Sequence, residues 1–197
     1  MNNSEREIII ATLKGIRGLC TSYDVLIPNC YTTHDNEADI LAIRKSGFVD
    51  EIEVKISRSD FLADAKKTVS VRDVVQYERS SDGEIVKSLD LEWCENHPLF
   101  WKNPGNLIAP WQKLKRDALQ GGLMMPNYFW YVTKAGIVEL ADIPKFAGWC
   151  IVFDDGEIKV IKLPDRLHKR KIDDSCKYSL AKKCCYRYLK SEFSVNF

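Results

Sequence analysis

The sequence predicts an α/β fold with a mixed sheet, ordered helix, three strands, helix, strand, and three observations carry that expectation. Within the run Val49 to Ser57, Ile52, Val54 and Ile56 fall on one side and Glu51, Glu53 and Lys55 on the other, as in a strand with two unlike faces. Three strand-like runs, Asp24 to Tyr31, Glu37 to Arg44 and Val49 to Ser57, follow one another through the short links Thr32 to Asn36 and Lys45 to Phe48. Links that short make the runs antiparallel neighbours. On both sides of the trio the apolar spacing changes to that of a helix.

Taken in order, Ser4-x-x-Glu7 is the capping-box pattern that opens a helix. Ile9, Leu13, Ile16 and Cys20 form its apolar stripe, and Gly18 with Thr21-Ser22 marks its end. After the three strands, Ser57 or Ser59 is suited to cap a second helix that carries Asp60, Phe61, Leu62, Asp64, Lys66 and Lys67. A less regular insertion, about 68–126, contains a hairpin around Ser81-Asp82-Gly83 and three tryptophans, Trp93, Trp101 and Trp111. It closes with a helix from about Ile108 to Leu119 that stops at Gly121-Gly122. Tyr128 to Thr133 reads as a buried strand, and Trp149 to Phe153 pairs with Glu157 to Ile161 across Asp154-Asp155-Gly156. A helix from Ser175 to Lys190 ends the chain, so residues 1–197 read as a single domain with one Trp-rich insertion and a C-terminal helix.

Composition is that of an ordinary globular chain, 45% apolar and 29% charged. No apolar run is long enough to span a bilayer, and Ile8-Ile9-Ile10 is too short for a signal-peptide core, so a cytoplasmic protein without a membrane partner is expected. Seven cysteines include no C-x-x-C pair, and Cys94-x-x-His97 has no second pair at zinc-finger spacing. The cysteines are expected reduced and mostly packed, with the adjacent Cys184 and Cys185 about 100° apart on their helix. The net charge of +1 hides an asymmetry: Lys159 to Lys190 carries eleven Lys and Arg against Asp165, Asp173 and Asp174, a net of +8 that leaves −7 for the rest. Such a segment suits a polyanion or simply a solvated helix, and Lys183, Arg187 and Lys190, on one helix face, are its candidate nucleic-acid ligands.

The chemistry concentrates on the second and third strands. Ala38 to Ile43 is apolar on both faces except at Asp39, and a lone carboxylate in a buried strand needs a partner or a metal. Neighbouring strands lie about 4.8 Å apart, so Asp39 and Glu53 can converge. Converging carboxylates repel unless a positive charge lies between them. Mg²⁺, or Mn²⁺ in its place, suits two carboxylates plus waters and a substrate phosphate, and the Val54 carbonyl offers a further oxygen. Lys55, on the face of Glu53, is positioned to orient an attacking water or to stabilise the transition state.

Asp39, thirteen intervening residues, then Glu53-Val54-Lys55 resembles the D…(D/E)-x-K signature of the PD-(D/E)XK nuclease superfamily. Lys55-Ile56-Ser57-Arg58-Ser59-Asp60-Phe61-Leu62-Ala63-Asp64 looks like a segment of MmcB-type DNA-repair proteins and related phage proteins. Asn127 to Val132 and Pro144-x-Phe146-Ala147-Gly148 look like that group's downstream strand and turn. The resemblance covers about 23–67 and 126–171. It implies a restriction-endonuclease-like αβββαβ core and a metal-dependent DNA endonuclease or repair nuclease, with Asp39, Glu53 and Lys55 catalytic and Asp39, Glu53 and Val54 on the metal. The alternative is a non-catalytic DNA- or protein-binding module on the same fold, and a homodimer is left open.

The superfamily often adds an acid from its first helix. Glu5 lies on the stripe of Ile9 and Leu13 while Glu7 points away, so Glu5 is the candidate. This chain departs from the pattern in three places. Ala38 replaces the proline, the insertion is longer than in compact relatives, and Lys66-Lys67 competes with Lys113-x-Lys115-Arg116 for the lysine pair that meets substrate. His34 precedes the Asp39 strand and reads as a solvated loop residue. Asp60 and Asp64 are one helical turn apart, within local ion-pair range of Lys67. The tryptophans suit either a small core for the insertion or base stacking, the core being the commoner use.

Overall fold

A computed structural model describes residues 3–15, 23–31, 36–71, 75–79, 85–89, 111–153 and 157–193. Four α-helices and ten strands are present among the described residues: α1 (Asn3–Gly15), β1 (Tyr23–Tyr31), β2 (Glu37–Arg44), β3 (Val49–Lys55), α2 (Arg58–Asp64), β4 (Thr68–Val71), β5 (Val75–Arg79), β6 (Ile85–Leu89), β7 (Trp111–Leu114), α3 (Lys115–Gln120), β8 (Tyr128–Lys134), β9 (Gly148–Val152), β10 (Ile158–Lys162) and α4 (Asp174–Phe193). The mixed α/β fold agrees with the sequence, and the order α1-β1-β2-β3-α2-β8 is the αβββαβ order expected.

Six strands form one sheet in the order β1-β2-β3-β8-β9-β10. β1, β2 and β3 are antiparallel neighbours, β3, β8 and β9 run parallel, and β10 returns antiparallel to β9. Between β2 and β3 the chain reverses in four residues, with Gly47 at φ +86°, a conformation that costs glycine least. β3 lies third in the sheet and is buried along its whole length. Its two faces meet different layers. Ile52 and Val54 join Ile40, Trp130, Val132 and Cys150 beneath Ile8 and Ile9 of α1. On the other face Phe129, Tyr131 and Trp149 pack under Phe61 of α2 and Ala118 and Leu119 of α3. Leu180, Cys176 and Cys184 of α4 cover Ile27, Leu41 and Ile43.

Two local features show why particular residues stand where they do. Ser57 is the N-cap of α2, its hydroxyl accepting the Asp60 N–H at 3.1 Å, while Asp60 accepts the Ile56 N–H at 3.2 Å. Asp60 is thus part of the cap and not a partner of Lys67. At Gly148, the first residue of β9, a Cβ would fall 2.4 Å from the Trp130 ring, so the strand admits no side chain there.

Several sequence expectations need correction. The stretch expected as one helix from Ile108 is strand β7 over Trp111–Leu114, followed by the shorter α3, because β7 pairs with β4. That pairing overrides local preference. In α1 the buried positions are Ile8, Ile9 and Thr12, with Leu13 only half-buried, and Ser4 lies inside the helix. Cys30 and Cys150 are buried and Cys176 and Cys184 partly so, but Cys185 is exposed, the outward member of its pair. β5 and β6 pair across the expected Ser81-Asp82-Gly83 turn. That turn, Gly18, His34, Trp93, Cys94, His97 and Trp101 lie outside the described residues.

Candidate active site

The β2–β3 ladder runs from Ile43↔Val49 to Ile40↔Ile52. One step further along the same register, Asp39 is opposite Glu53. There the Asp39 carboxylate replaces the backbone as acceptor for the Val54 N–H, at 2.7 Å. In an extended strand a residue's N–H and C=O point to the same side, so the Val54 carbonyl also looks toward β2.

Glu53 is fully buried and gathers three ammonium groups. Lys55 lies 2.7 Å and Lys67 3.3 Å from its Oε2, and Lys115 lies 2.7 Å from its Oε1. Each lysine has a second carboxylate. Lys55 and Lys67 are 3.1 and 3.0 Å from Asp64 Oδ1, and Lys115 is 2.8 Å from Glu51 Oε1. The Tyr131 hydroxyl donates to Asp64 Oδ2 at 2.7 Å, and the Asn36 amide donates to Glu51 Oε1 at 3.0 Å. Together with Asp39, four carboxyl groups face three ammoniums. The buried end of the cluster is at Glu51 and Lys115. The half-buried Asp39 and Lys67, whose side chain is 44% exposed, form its open end.

Electrostatics follow this arrangement. Burial, and then the Glu53 charge, push the Asp39 carboxyl up to about 7. Burial also pushes Glu53 up, but Lys115, Lys55 and Lys67 outweigh it and hold Glu53 below the usual carboxylate range. Asp64 is likewise held low against its burial, chiefly by Lys55 and Lys115. Burial disfavours the Lys55 ammonium, yet Glu53 and Asp64 more than reverse this and raise its pKa. The same balance, set by Glu51 and Glu53, raises Lys115.

Whether a divalent cation suits these residues turns on donors and charge. Among the described residues no three His, Cys, Asp or Glu side chains make a metal cage. Asp39, Glu53 and the Val54 carbonyl make a sparse set of oxygens, of the kind Mg²⁺ uses when water and phosphate complete its shell. Among the described residues four carboxyl groups face three ammoniums, and the carboxyl in excess is Asp39, at the open end beside Glu53. The residues present therefore fit a divalent cation, provided Glu53 releases one of its ammoniums.

Of the residues singled out from sequence, Asp39, Glu53, Val54 and Lys55 come together. Asp64 and Lys67 form the ion pair expected of them and join the same cluster. Both competing lysine segments contribute one member: Lys67 and Lys115 meet on Glu53 because they flank the paired ends of β4 and β7, Thr68↔Leu114. The Lys115 N–H donates to the Lys67 carbonyl at 2.8 Å and locks that base. Glu5 is half-buried in the first turn of α1, on the sheet face opposite Glu53 and Lys55. The carboxylates paired with Lys55 are Glu53 and Asp64. In α4, Lys183 and Lys190 are exposed, whereas the Arg187 guanidinium donates to the carbonyls of Pro28, at 2.7 Å, and Asn29 on β1. Glu51 was not singled out as a site residue, and Lys115 only as a member of Lys113-x-Lys115-Arg116. Glu51 shared the alternation of Glu53 and Lys55, and that was the available signal; for Lys115 the signal was the competing lysine segment, which did not say which member reaches Glu53.

No protein-family model and no curated protein matches this chain. Among solved structures it is similar to the SPO1766 protein of unknown function from Silicibacter pomeroyi, with a TM-score of 0.52 and 13% identity over 96% of this chain and 91% of that one. At that identity the likeness concerns the fold alone. Among the described residues no helix is long and apolar enough to cross a membrane.

Proposed function

We propose that this chain is a Mg²⁺-dependent DNA endonuclease of the PD-(D/E)XK superfamily, acting in DNA repair or phage DNA processing. The observation that carries the proposal is the meeting of Asp39, Glu53 and Lys55 where β2 and β3 part, with four carboxyl groups facing three ammoniums among the described residues. Asp39, Glu53 and the Val54 carbonyl would hold the cation, which supplies Lewis acidity toward a phosphate oxygen and a more acidic bound water. Asp39, whose carboxyl is pushed up to about 7, would hold the cation in its deprotonated form. Lys55 is held charged between Glu53 and Asp64, so it acts as a hydrogen-bond donor to water or phosphate and not as a base. Tyr131 and Lys67 keep Asp64 in place behind it. The exposed Lys183 and Lys190 add sequence-independent contacts to the phosphate backbone.

A second reading, a DNA-binding module without cleavage, is favoured by one observation. Both oxygens of Glu53 already carry an ammonium within 2.7 Å. Calorimetric titration with Mg²⁺ and Mn²⁺, together with a nicking assay on labelled single-stranded, duplex and branched DNA, separates the two. Cation binding with cleavage supports the nuclease. DNA binding without either supports the module.

A further inference from the structure

We infer that Lys115, which the insertion delivers, is a positioning residue for the cation site: it rests on Glu53 while no divalent cation is bound and withdraws onto Glu51 when one binds. This inference depends on the cation reading proposed above. Its basis is the geometry of one ammonium between two carboxylates. Lys115 Nζ lies 2.7 Å from Glu53 Oε1 and 2.8 Å from Glu51 Oε1. Glu51 and Glu53 are two residues apart on one face of β3, so a small rotation of the ammonium transfers it between them.

Glu51 has an acceptor in reserve. It is fully buried, its Oε1 also receives the Asn36 amide, and its Oε2 has no hydrogen-bond partner among the described residues. A buried oxygen without a donor costs stability, and a withdrawing ammonium would fill it. The other two lysines on Glu53 share one such oxygen: Asp64 Oδ1 also makes no hydrogen bond among the described residues, but two ammoniums already divide it. Their second carboxylate is Asp64, whose Oδ1 already faces both of them and whose Oδ2 takes the Tyr131 hydroxyl. Every lysine would keep a carboxylate on leaving Glu53, but the one whose second carboxylate has an oxygen that no ammonium faces among the described residues is Lys115. The Lys115 ammonium also lies over the Phe129 ring, 5.1 Å from its centroid, on a face that favours a cation.

The insertion gains a purpose from this. β4 and β7 pair down to Thr68↔Leu114, and the Lys115 N–H bonds to the Lys67 carbonyl, so the base of the insertion fixes the root of the side chain. Only the ammonium end has to move. Glu51 acts as the receiving station, and together Glu51 and Lys115 set how readily Glu53 accepts a cation.

Calorimetric Mn²⁺ titration of the full chain, with thermal unfolding in parallel, tests this in wild type, Glu51→Gln and Lys115→Met. Glu51→Gln keeps an acceptor for Asn36 but leaves Lys115 with Glu53 alone, so Mn²⁺ affinity should fall on the order of tenfold. Lys115→Met removes the competitor, and affinity should rise by a similar factor. If Lys115→Met does not fold, the Glu51→Gln titration decides alone. A pair that is merely structural predicts a lower melting temperature in Glu51→Gln with unchanged Mn²⁺ affinity, and that result overturns the inference. So does tighter binding in Glu51→Gln. If wild type itself binds no Mn²⁺, the cation reading falls, and this inference falls with it.

Discussion

Two buried polar clusters occupy the two ends of β3, and they are built differently. At the start, Asp50 accepts two hydrogen bonds from the Arg44 guanidinium, at 2.6 and 2.7 Å, and one from the Trp130 indole at 2.9 Å. Arg44 also stacks 4.0 Å above the Tyr128 ring. Nearby, Asn127 joins β3 to β8 through the Val49 N–H and holds the segment before α4 through the carbonyls of His168 and Arg170. One negative charge meets one positive charge, and the bidentate geometry is the strong form of such a pair. At the end of β3, among the described residues, four carboxyls meet three ammoniums, one carboxyl is raised to about 7, and a buried Glu51 oxygen has no donor. A buried ion pair alone marks architecture. The mismatch of charge and the idle acceptor mark the end that is suited to take up something else.

Substitutions at the two ends should therefore fail in different ways. The largest effect is expected on cleavage. Asp39→Asn or Lys55→Ala should lower Mg²⁺-dependent nicking by about 10³-fold, the range for removing one group that stabilises a transition state. Asp39→Asn should keep the fold and lose cation affinity, read by calorimetry; Lys55→Ala should keep cation affinity. Equal cleavage by wild type and both variants would move the active site elsewhere.

Next in size is the structural end. Asp50→Ala strands the partly buried Arg44 guanidinium and the Trp130 N–H, and should cost about 3 kcal/mol of stability in urea unfolding. Mn²⁺ affinity should not change. A lost cation site in Asp50→Ala would dissolve the distinction between the two ends.

A smaller effect separates them by pH. The native Asp39 carboxyl titrates near 7, above its value in the unfolded chain. Between about pH 4 and 7 the folded state holds a proton that the unfolded chain has released, so this group favours folding less as pH rises through that window. Stability of wild type relative to Asp39→Asn should fall there with a slope of up to about 1.4 kcal/mol per pH unit. Glu53 and Asp64, held low, act in the opposite sense, and their contribution is lost only as pH falls below the ordinary carboxylate range. Parallel stability curves for wild type and Asp39→Asn would show that the charge at the open end is already matched.

The smallest effect lies outside β3. Lys183→Ala with Lys190→Ala should reduce the salt dependence of DNA affinity by about 0.9 in slope for each lost phosphate contact. Arg187→Ala should instead lower stability, because its guanidinium ties α4 to Pro28 and Asn29 of β1. A salt slope unchanged in the double variant would make α4 a solvated helix.

The sequence by itself determined the elements whose signals are local. Alternation along Val49–Lys55 put Glu51, Glu53 and Lys55 on one face, because strand side chains have a period of two wherever the strand lies. Links of five and four residues made β1, β2 and β3 antiparallel, and that topology sets Asp39 opposite Glu53. Ser57 capped α2 through its own neighbours. Only the tertiary structure decided what depends on distant pairing. Lys115 reaches Glu53 because β7 returns beside β4, and the same pairing turned an expected helix into a strand. Arg187 has a helical position suited to phosphate, but the sheet edge beneath it offered carbonyls first. Periodicity fixes the direction of a side chain relative to its own backbone. What waits in that direction is a neighbour remote in sequence, and the competition between such neighbours is settled when the chain packs.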